Sequence, residues 1–269
     1  MHKLETIDVW LTEVSIAAQP SLTAAYLSLI CDDERDRYRR LPDTITQSEY
    51  LTSRALLRIA LSECHPIAPR DWRFSANAYG RPEISRPRSA RHIHFNLTHS
   101  HGVIALVAAR DRDVGIDIEC VHDCGLEERI AKRFFSPFEL QQLTAAPLPV
   151  RPYLFWANWV LKESYIKAHG MGLAMSLRSF AFQVLPDERL VRLQQPHPDD
   201  THRWTFFLFS PVPHFLLALT VENYTEEFNA LNIRTGVPLR YFKSLLTEPM
   251  LTSVGSVASP IRDTTTRAG

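Results

Sequence analysis

Two short apolar segments near the middle of the chain limit the folds open to it. Residues 103–109 form an unbroken apolar run, and residues 114–119 follow after a four-residue turn, Arg110 to Asp113. In the second segment, isoleucines alternate with acidic residues. The first pattern is typical of a buried strand and the second of a half-buried one. We therefore predict a strand pair here, with the turn as a seam between two halves of the molecule.

Longer segments on both sides have the periodicity of helices. The clearest are residues 48–61, with an apolar stripe at helical spacing, and residues 153–169, which end at Gly170 and Gly172. Further helices are predicted at 20–30, 126–135 and 137–143, and strands at 4–16, 179–185, 204–210 and 215–221. Antiparallel strands combined with a few long helices indicate an α+β fold. After about Tyr241, Ser, Thr, Gly and Pro predominate, and we predict a flexible tail.

Composition argues against several classes of protein. Thirty Lys and Arg residues balance thirty Asp and Glu residues, so no global field favours nucleic acid or an acidic membrane. The apolar runs are far shorter than the roughly 20 residues that span a bilayer. Four cysteines in 269 residues do not suggest a disulfide framework. We expect a cytoplasmic protein with neither membrane nor nucleic acid as its main partner.

Acidic residues on one predicted strand and one predicted helix are candidate metal ligands. Asp117 and Glu119 share one face of the strand, and two such carboxylates repel unless a cation lies between them. The alternative is an edge strand with its polar face in water. Glu163 and Lys167 lie one turn apart on the helix, which alone indicates only a surface ion pair. If Glu163 lies close to the two strand carboxylates, the three residues would supply oxygen ligands for Mg²⁺. Water and a substrate phosphate would then be the remaining ligands.

Basic and polar residues that precede the predicted strand pair could bind an anion. Residues 70–92 contain six arginines and two acids, and residues 79–82 form a turn that would present its backbone to a phosphate. Residues 95–101 are interpreted as a polar loop that leads into the buried strand. A zinc site at His99 and His101, or at Cys120, His122 and Cys124, lacks a second pair of ligands. Neither common nucleotide-binding loop and no GxSxG element is present.

Taken in chain order, four segments resemble the 4′-phosphopantetheinyl transferases of the Sfp type. They are YGRP at 79–82, FNLTHS at 95–100, VGIDIE at 114–119 and WVLKESYIK at 159–167. The similarity covers about residues 25–185. It implies an α+β fold of two similar α/β-type halves, with the active site in the cleft between them. The implied division is an N-terminal half at 1–111, a C-terminal half at 112–240 and a tail at 241–269.

The resemblance also implies an activity. This is the Mg²⁺-dependent transfer of the 4′-phosphopantetheine arm of coenzyme A to a serine of an apo acyl or peptidyl carrier protein, releasing adenosine 3′,5′-bisphosphate. A cytoplasmic monomer is expected. The alternatives are an arginine-rich module that binds nucleic acid or phosphate without catalysis, and a zinc-stabilised structural protein. Which carrier protein is served stays open.

Individual roles follow from the same resemblance. Asp117, Glu119 and Glu163 are implied as Mg²⁺ ligands, and Glu163 as the general base, with a water on the metal as the alternative base. Lys167 would neutralise the departing bisphosphate. The implied coenzyme contacts are Arg37, Tyr79, Gly80, Arg81, Pro82, Asn96, Thr98, His99, Asp117, Glu163 and Lys167. Thr98 replaces a common Ser and keeps its hydroxyl, whereas Arg81 replaces a common Lys and differs in shape.

Overall fold

The structure, a computed structural model, describes residues 5–121, 127–194, 203–225 and 229–253. The α-helices are α1 Val14–Ala17, α2 Pro20–Leu29, α3 Asp32–Arg40, α4 Thr44–Cys64, α5 Glu127–Phe134, α6 Pro137–Ala145 and α7 Arg151–His169. The strands are β1 Glu5–Glu13, β2 Arg73–Ala76, β3 Pro82–Arg86, β4 Ile93–Ser100, β5 Val103–Arg110, β6 Val114–Cys120, β7 Ala181–Leu185, β8 Leu190–Gln194, β9 Trp204–Phe209, β10 Phe215–Glu222, β11 Asn229–Val237, β12 Tyr241–Ser244 and β13 Leu251–Thr252. No helix among these residues is long and apolar enough to cross a membrane. The α+β prediction is confirmed.

Two larger sheets and one hairpin organise the strands. The first sheet has the order β12-β11-β1-β5-β4, and the second has the order β6-β10-β9-β13-β8-β7. The hairpin pairs β2 with β3. Within the first sheet β1 runs parallel to β11 and antiparallel to β5. The two sheets meet along β4 and β6, where the Asn96 side-chain oxygen accepts a hydrogen bond from the Ile116 backbone.

Side-chain alternation builds four layers from these elements. On β5, Val103, Ala105 and Val107 pack toward the second sheet, whereas Ile104 and Leu106 pack under α4. Because both faces of β5 are covered from Val103 to Ala109, its sequence is apolar over these residues, as the unbroken run predicts. The second sheet likewise packs one face against the first sheet and the other against α7. The order of layers is therefore α4, first sheet, second sheet, α7.

Both strands predicted between residues 103 and 119 are present, but the prediction that they pair with each other is wrong. β5 pairs with β1 and β4, and β6 pairs with β10 in the other sheet. The turn between them carries the chain from one sheet to the other, with Asp111 in the left-handed region at φ 51°. Local periodicity identifies both strands but contains no information on their partners, which explains the error.

Two other predictions need correction. Residues 14–17 are helical, so the first strand ends at Glu13. The segment at 95–101 is not a loop, because residues 93–100 form strand β4. The side chains of Asn96, Thr98 and Ser100 bond to β6, which explains why this strand carries polar residues although it is largely buried.

The structure also has strands within the segment predicted as a flexible tail. Strands β11 and β12 pair within the first sheet, so the chain after 228 returns to the N-terminal half rather than staying in the C-terminal one. Leu251 pairs with β9 of the second sheet. A tail beginning at 241 is therefore wrong for residues 241–244 and 251–252. Residues 254–269 lie outside the described residues.

Candidate active site

A polar cluster lies where β4, β6 and α7 meet. β6 presents Ile116 and Ile118 to the core between the sheets. Because side chains alternate along a strand, Asp117 and Glu119 lie on the opposite face. Helix α7 packs on that same face of the second sheet and carries Lys167 and Glu163 toward it. The strand and helix residues that the sequence singles out are thus neighbours in space.

Thr98, Asp117 and Lys167 form the centre of the cluster. The Thr98 hydroxyl donates to Asp117 Oδ1 at 2.9 Å, and Lys167 Nζ donates to the same oxygen at 2.6 Å. Lys167 Nζ also lies 3.1 Å from Thr98 Oγ1. Asp117 is buried, and its other oxygen, Oδ2, has no hydrogen-bond partner. An unpartnered buried carboxylate oxygen is costly and suits a cation or a donor supplied from outside.

Glu119 stands beside this centre on the same strand face. Ser100 Oγ donates to Glu119 Oε2 at 2.6 Å, repeating two residues further along β4 the contact between Thr98 and Asp117. Burial raises the pKa of Glu119, and the negative charge of Asp117 raises it further, against the opposing hydrogen bond from Ser100. Glu119 is thus a carboxylate whose ionised form needs nearby positive charge.

Glu163 completes the acidic group from the helix. Burial raises the pKa of this carboxyl, as do the charges of Asp117 and Glu119, while Lys167 lowers it. Its carboxylate makes no hydrogen bond or ion pair to any residue that the structure describes. The negative charges of the three carboxylates thus repel one another. A divalent cation between them would offset this repulsion.

The three carboxylates do not form a closed cage. Within residues 5–121, 127–194, 203–225 and 229–253, no three His, Cys, Asp or Glu side chains are grouped as the ligands of one metal ion. Asp117 is instead paired with Lys167. His122 and Cys124, from one of the zinc alternatives, lie outside the described residues.

Close packing of β6 against α7 depends on Gly115. A Cβ atom at this position would lie 2.0 Å from the Ser164 carbonyl oxygen and 2.4 Å from the Ala168 backbone nitrogen. Only glycine allows the strand to approach the helix so closely. The approach brings the β6 carboxylates within reach of Lys167, so the glycine of the VGIDIE segment has a packing role that its sequence pattern did not reveal.

The remaining predicted coenzyme contacts are distributed around the cluster. His99 faces away from β6, with its Nδ1 2.9 Å from Glu49 Oε1 on α4. Arg37 is exposed on α3 and lies over the Tyr50 ring at 5.4 Å, where Arg54 also lies at 5.5 Å. This arrangement places basic groups on the α4 side of the first sheet.

Arg81 is directed into the protein. The residues from Asn77 to Arg81 form the turn of the β2–β3 hairpin, hereafter the 77–81 turn. Arg81 Nη1 donates to Asp113 Oδ1 at 3.1 Å and to the Ala168 carbonyl at 3.0 Å, and the side chain is only 12% exposed. Tyr79, Gly80 and Pro82 are exposed around it. The turn therefore lies at the C-terminal end of α7, next to the helix that carries Lys167.

Comparisons with known proteins decide the family. A model of the 4′-phosphopantetheinyl transferase superfamily matches residues 113–220, which include β6 and α7. The 4′-phosphopantetheinyl transferase Sfp of Bacillus subtilis is 34% identical over 173 residues, covering 64% of this chain and 75% of Sfp. The chain belongs to the 4′-phosphopantetheinyl transferase superfamily. The B. subtilis transferase ffp is 35% identical over 178 residues, covering 65% of this chain and 76% of ffp. A Synechocystis sp. protein provisionally given the same enzyme name is 33% identical over 186 residues, covering 68% and 73% of the two chains.

Membership in this superfamily confirms the predicted transferase class, whereas the roles of individual residues stay predictions. Sequence reasoning missed several residues that contribute to the candidate site, namely Glu49, Asn77, His94, Ser100, Asp113 and Gly115. Ser100 could have been identified from the sequence, because it lies two residues after Thr98 and therefore on the same face of a strand. Glu49, His94 and Asp113 approach their partners only through the tertiary fold, so no local signal marks them.

Proposed function

We propose that this transferase moves the 4′-phosphopantetheine arm of coenzyme A to a serine of an apo acyl or peptidyl carrier protein, with Mg²⁺, and releases adenosine 3′,5′-bisphosphate. The observation that carries the proposal is the cluster of Asp117, Glu119, Glu163 and Lys167 within the segment that matches the superfamily. The curated relatives are named for this transfer. We also propose a monomer and a cytoplasmic location, the location being in keeping with the free thiols of Cys31, Cys64 and Cys120.

The donor chemistry of the acidic cluster suits a hard divalent cation. Asp117, Glu119 and Glu163 supply only oxygen donors, which Mg²⁺ prefers. The unpartnered Oδ2 of Asp117 and the raised pKa values of both glutamates are consistent with a site that a cation would stabilise. Bound there, Mg²⁺ would neutralise charge on the diphosphate of coenzyme A and orient it toward the acceptor.

Glu163 is the proposed general base. In the transfer, the serine oxygen of the carrier forms a bond to the phosphorus next to the pantetheine arm, and the bond from that phosphorus to the bisphosphate oxygen breaks. The serine proton passes to the Glu163 carboxylate. A raised pKa makes a carboxylate a stronger base near neutral pH, and burial next to two other acids provides that shift here. Its lack of a partner among the described residues leaves it able to accept the proton.

Lys167 and Thr98 serve the leaving group in this proposal. The Lys167 ammonium would stabilise the negative charge that develops on the departing bisphosphate, since phosphoryl transfer depends mainly on positioning and charge neutralisation. Thr98 holds this ammonium against Asp117. His99, Tyr79, Gly80, Pro82 and Arg37 would contact the coenzyme outside this centre. Asn96 acts through the β4–β6 junction, since its side chain bonds the Ile116 amide.

The decisive experiment is intact mass spectrometry of a carrier protein. Purified enzyme, coenzyme A and Mg²⁺ are incubated with several unrelated apo carriers, and a gain of one phosphopantetheine per carrier is expected. Glu163→Gln should abolish transfer while the protein stays folded, and Asp117→Ala should shift the Mg²⁺ titration strongly. Glu128→Gln, on an exposed carboxylate paired with Lys132, is the matched control.

Absence of an adduct on every carrier would refute the proposed activity. Near-normal turnover of Glu163→Gln would remove that residue as the base, and an unchanged Mg²⁺ titration of Asp117→Ala would remove Asp117 as a ligand.

A further inference from the structure

The 77–81 turn is attached to the C-terminal end of α7 by several polar contacts. Asn77 Oδ1 accepts hydrogen bonds from the Tyr79 and Arg81 amides, each at 2.9 Å, which stabilises the turn itself. Asn77 Nδ2 donates to the Gly170 carbonyl at 3.1 Å. Gly170 is the left-handed C-cap of α7, at φ 67°. The turn is thus ordered internally and bonded directly to the end of the helix.

Arg81 adds a charged contact between three segments of the chain. Its guanidinium donates to Asp113, immediately before β6, and to the carbonyl of Ala168, in the last turn of α7. His94 of β4 contributes a fourth segment, since its Nδ1 lies 2.9 Å from the same Asp113 oxygen. Burial raises the pKa of Asp113, but the His94 hydrogen bond and the Arg81 charge lower it to a greater extent, so the carboxylate is ionised near neutral pH.

Packing around the Arg81 side chain is tight. A Cβ atom at Gly170 would lie 2.7 Å from Arg81 Cδ and 2.8 Å from its Nη1. The side chain is 12% exposed and its carboxylate partner 27% exposed. A guanidinium enclosed in this way has little surface left for a phosphate, and its positive charge is already balanced.

We propose that Arg81 is a positioning residue, whose contacts with Asp113 and the Ala168 carbonyl hold the 77–81 turn at a set distance from Lys167. This inference rests on the proposed function, in which the turn contacts coenzyme A and Lys167 lies at the site of transfer. Lys167 immediately precedes Ala168, so a contact at the Ala168 carbonyl fixes the turn relative to the helical turn that carries the ammonium. The coenzyme would then bind to two surfaces whose separation this ion pair maintains.

Substitution of Asp113 distinguishes a positioning role of Arg81 from direct contact between Arg81 and the coenzyme. If Arg81 bound phosphate directly, Asp113→Asn would leave its charge available and coenzyme affinity would be unchanged or improved. If Arg81 acts through the ion pair, Asp113→Asn and Arg81→Gln should have the same effect. The double variant should then be no worse than Arg81→Gln alone, because that change already removes the ion pair.

The experiment compares Asp113→Asn, Arg81→Gln, the double variant and Arg86→Gln at a temperature where all four are folded. Arg86 is the matched control, an exposed arginine at the far end of the same strand β3. We expect the first three variants to raise the KM for coenzyme A about tenfold, equivalent to roughly 1.4 kcal/mol. The KM for the carrier protein should stay unchanged, which a general loss of structure would not produce. The Arg86→Gln variant should match the wild type.

Two kinetic outcomes would overturn the proposal. One is a wild-type KM for coenzyme A in Asp113→Asn with a raised KM in Arg81→Gln, which would make Arg81 a direct ligand. The other is additivity of the two changes in the double variant.

Hydrogen exchange tests the same contact independently of activity. The amides of Tyr79 and Arg81 should exchange faster in Arg81→Gln and in Asp113→Asn, but not in Arg86→Gln. Unchanged exchange would overturn the proposal even in an active enzyme. If the wild type transfers nothing to any carrier, the proposed activity fails, and exchange still decides whether the ion pair holds the turn.

Discussion

Replacing Lys162 by Met should destabilise the protein strongly, although the residue is one position away from the proposed base. Lys162 Nζ donates to Glu139 Oε1 at 2.7 Å and to the Phe180 carbonyl at 2.8 Å, and both charged side chains are fully buried. Burial lowers the pKa of Lys162 to about 8, against the opposing charge of Glu139. Methionine fills a similar volume but leaves the Glu139 carboxylate without its counter-charge.

The magnitude follows from this uncompensated charge. Removing one partner of a buried ion pair costs about 3–5 kcal/mol, which corresponds to a drop in Tm of roughly 6–20 °C for a protein of this size. Glu139 also accepts hydrogen bonds from the backbone of Ser136 at 2.8 Å and of Phe182 at 2.9 Å. The loss therefore affects the start of α6 and the edge strand β7 as well as α7.

Thermal unfolding followed by circular dichroism measures the effect, and Lys132→Met is the matched control. Lys132 also pairs with a glutamate, Glu128, but its side chain is 68% exposed and that of Glu128 79% exposed. Exposed pairs contribute at most about 1 kcal/mol, so the control should barely change the Tm. The Lys162→Met/Glu139→Gln double variant should recover part of the loss, because no buried charge remains. Equal Tm values for Lys162→Met and Lys132→Met would refute the reasoning.

Three further predictions concern the site and its supports. Gly115→Ala should lower the free energy of unfolding by about 3 kcal/mol or more, measured in urea, because the new Cβ meets the backbone of α7. Thr98→Val should reduce kcat/KM for coenzyme A about 10- to 100-fold, since a hydrogen bond to charged groups contributes about 1.5–3 kcal/mol and Thr98 bridges Lys167 and Asp117. Asp113→Asn should cost about 1 kcal/mol of stability at neutral pH. The lowered pKa of Asp113 means that this difference is present above about pH 4 and disappears as the pH falls through the folded-state pKa.

Each of these predictions has its own control. Thr98→Ser keeps the hydroxyl and should keep most of the activity, so equal losses in the Ser and Val variants would contradict the bridging role. Asp36→Asn changes an exposed pair with Arg39 and should leave stability almost unchanged at every pH. A pH-independent deficit in Asp113→Asn would exclude its ionisation as the cause. A Gly115→Ala variant as stable as the wild type would show that α7 can move away from β6.

Local sequence patterns predicted most of the elements that carry the site. The sequence pattern predicts helix α7 at 153–169, and the structure has it at Arg151–His169, with Gly170 ending it in the left-handed region as the sequence indicates. Helix α6 begins with a capping box at Ser136 and Glu139, a pattern that the sequence contains, and both of its hydrogen bonds are made. These features depend on contacts between residues three or four positions apart, so they can be predicted from a short stretch of sequence.

The partners of the strands were not predictable in this way. β5 and β6 follow each other in the chain but belong to different sheets, and β11 returns to pair with β1 after more than 200 intervening residues. Periodicity indicates which face of a strand is buried, but it does not indicate which element covers that face. For the same reason, the pairing of Arg81 with Asp113 could not be read from an arginine-rich segment.

The sequence alone determined the chemical character of the site: its carboxylates, its ammonium and its hydroxyls, each on a helix or strand of the right type. Tertiary structure decided which of these groups meet and in which direction the pKa values of the two glutamates shift. Burial and neighbouring charges raise the pKa of Glu163, and a buried neighbour pairs with Lys162 directly beside it in the chain. Both effects depend on distances of a few ångströms between residues far apart in the chain, and those distances exist only once the two sheets and α7 have packed together.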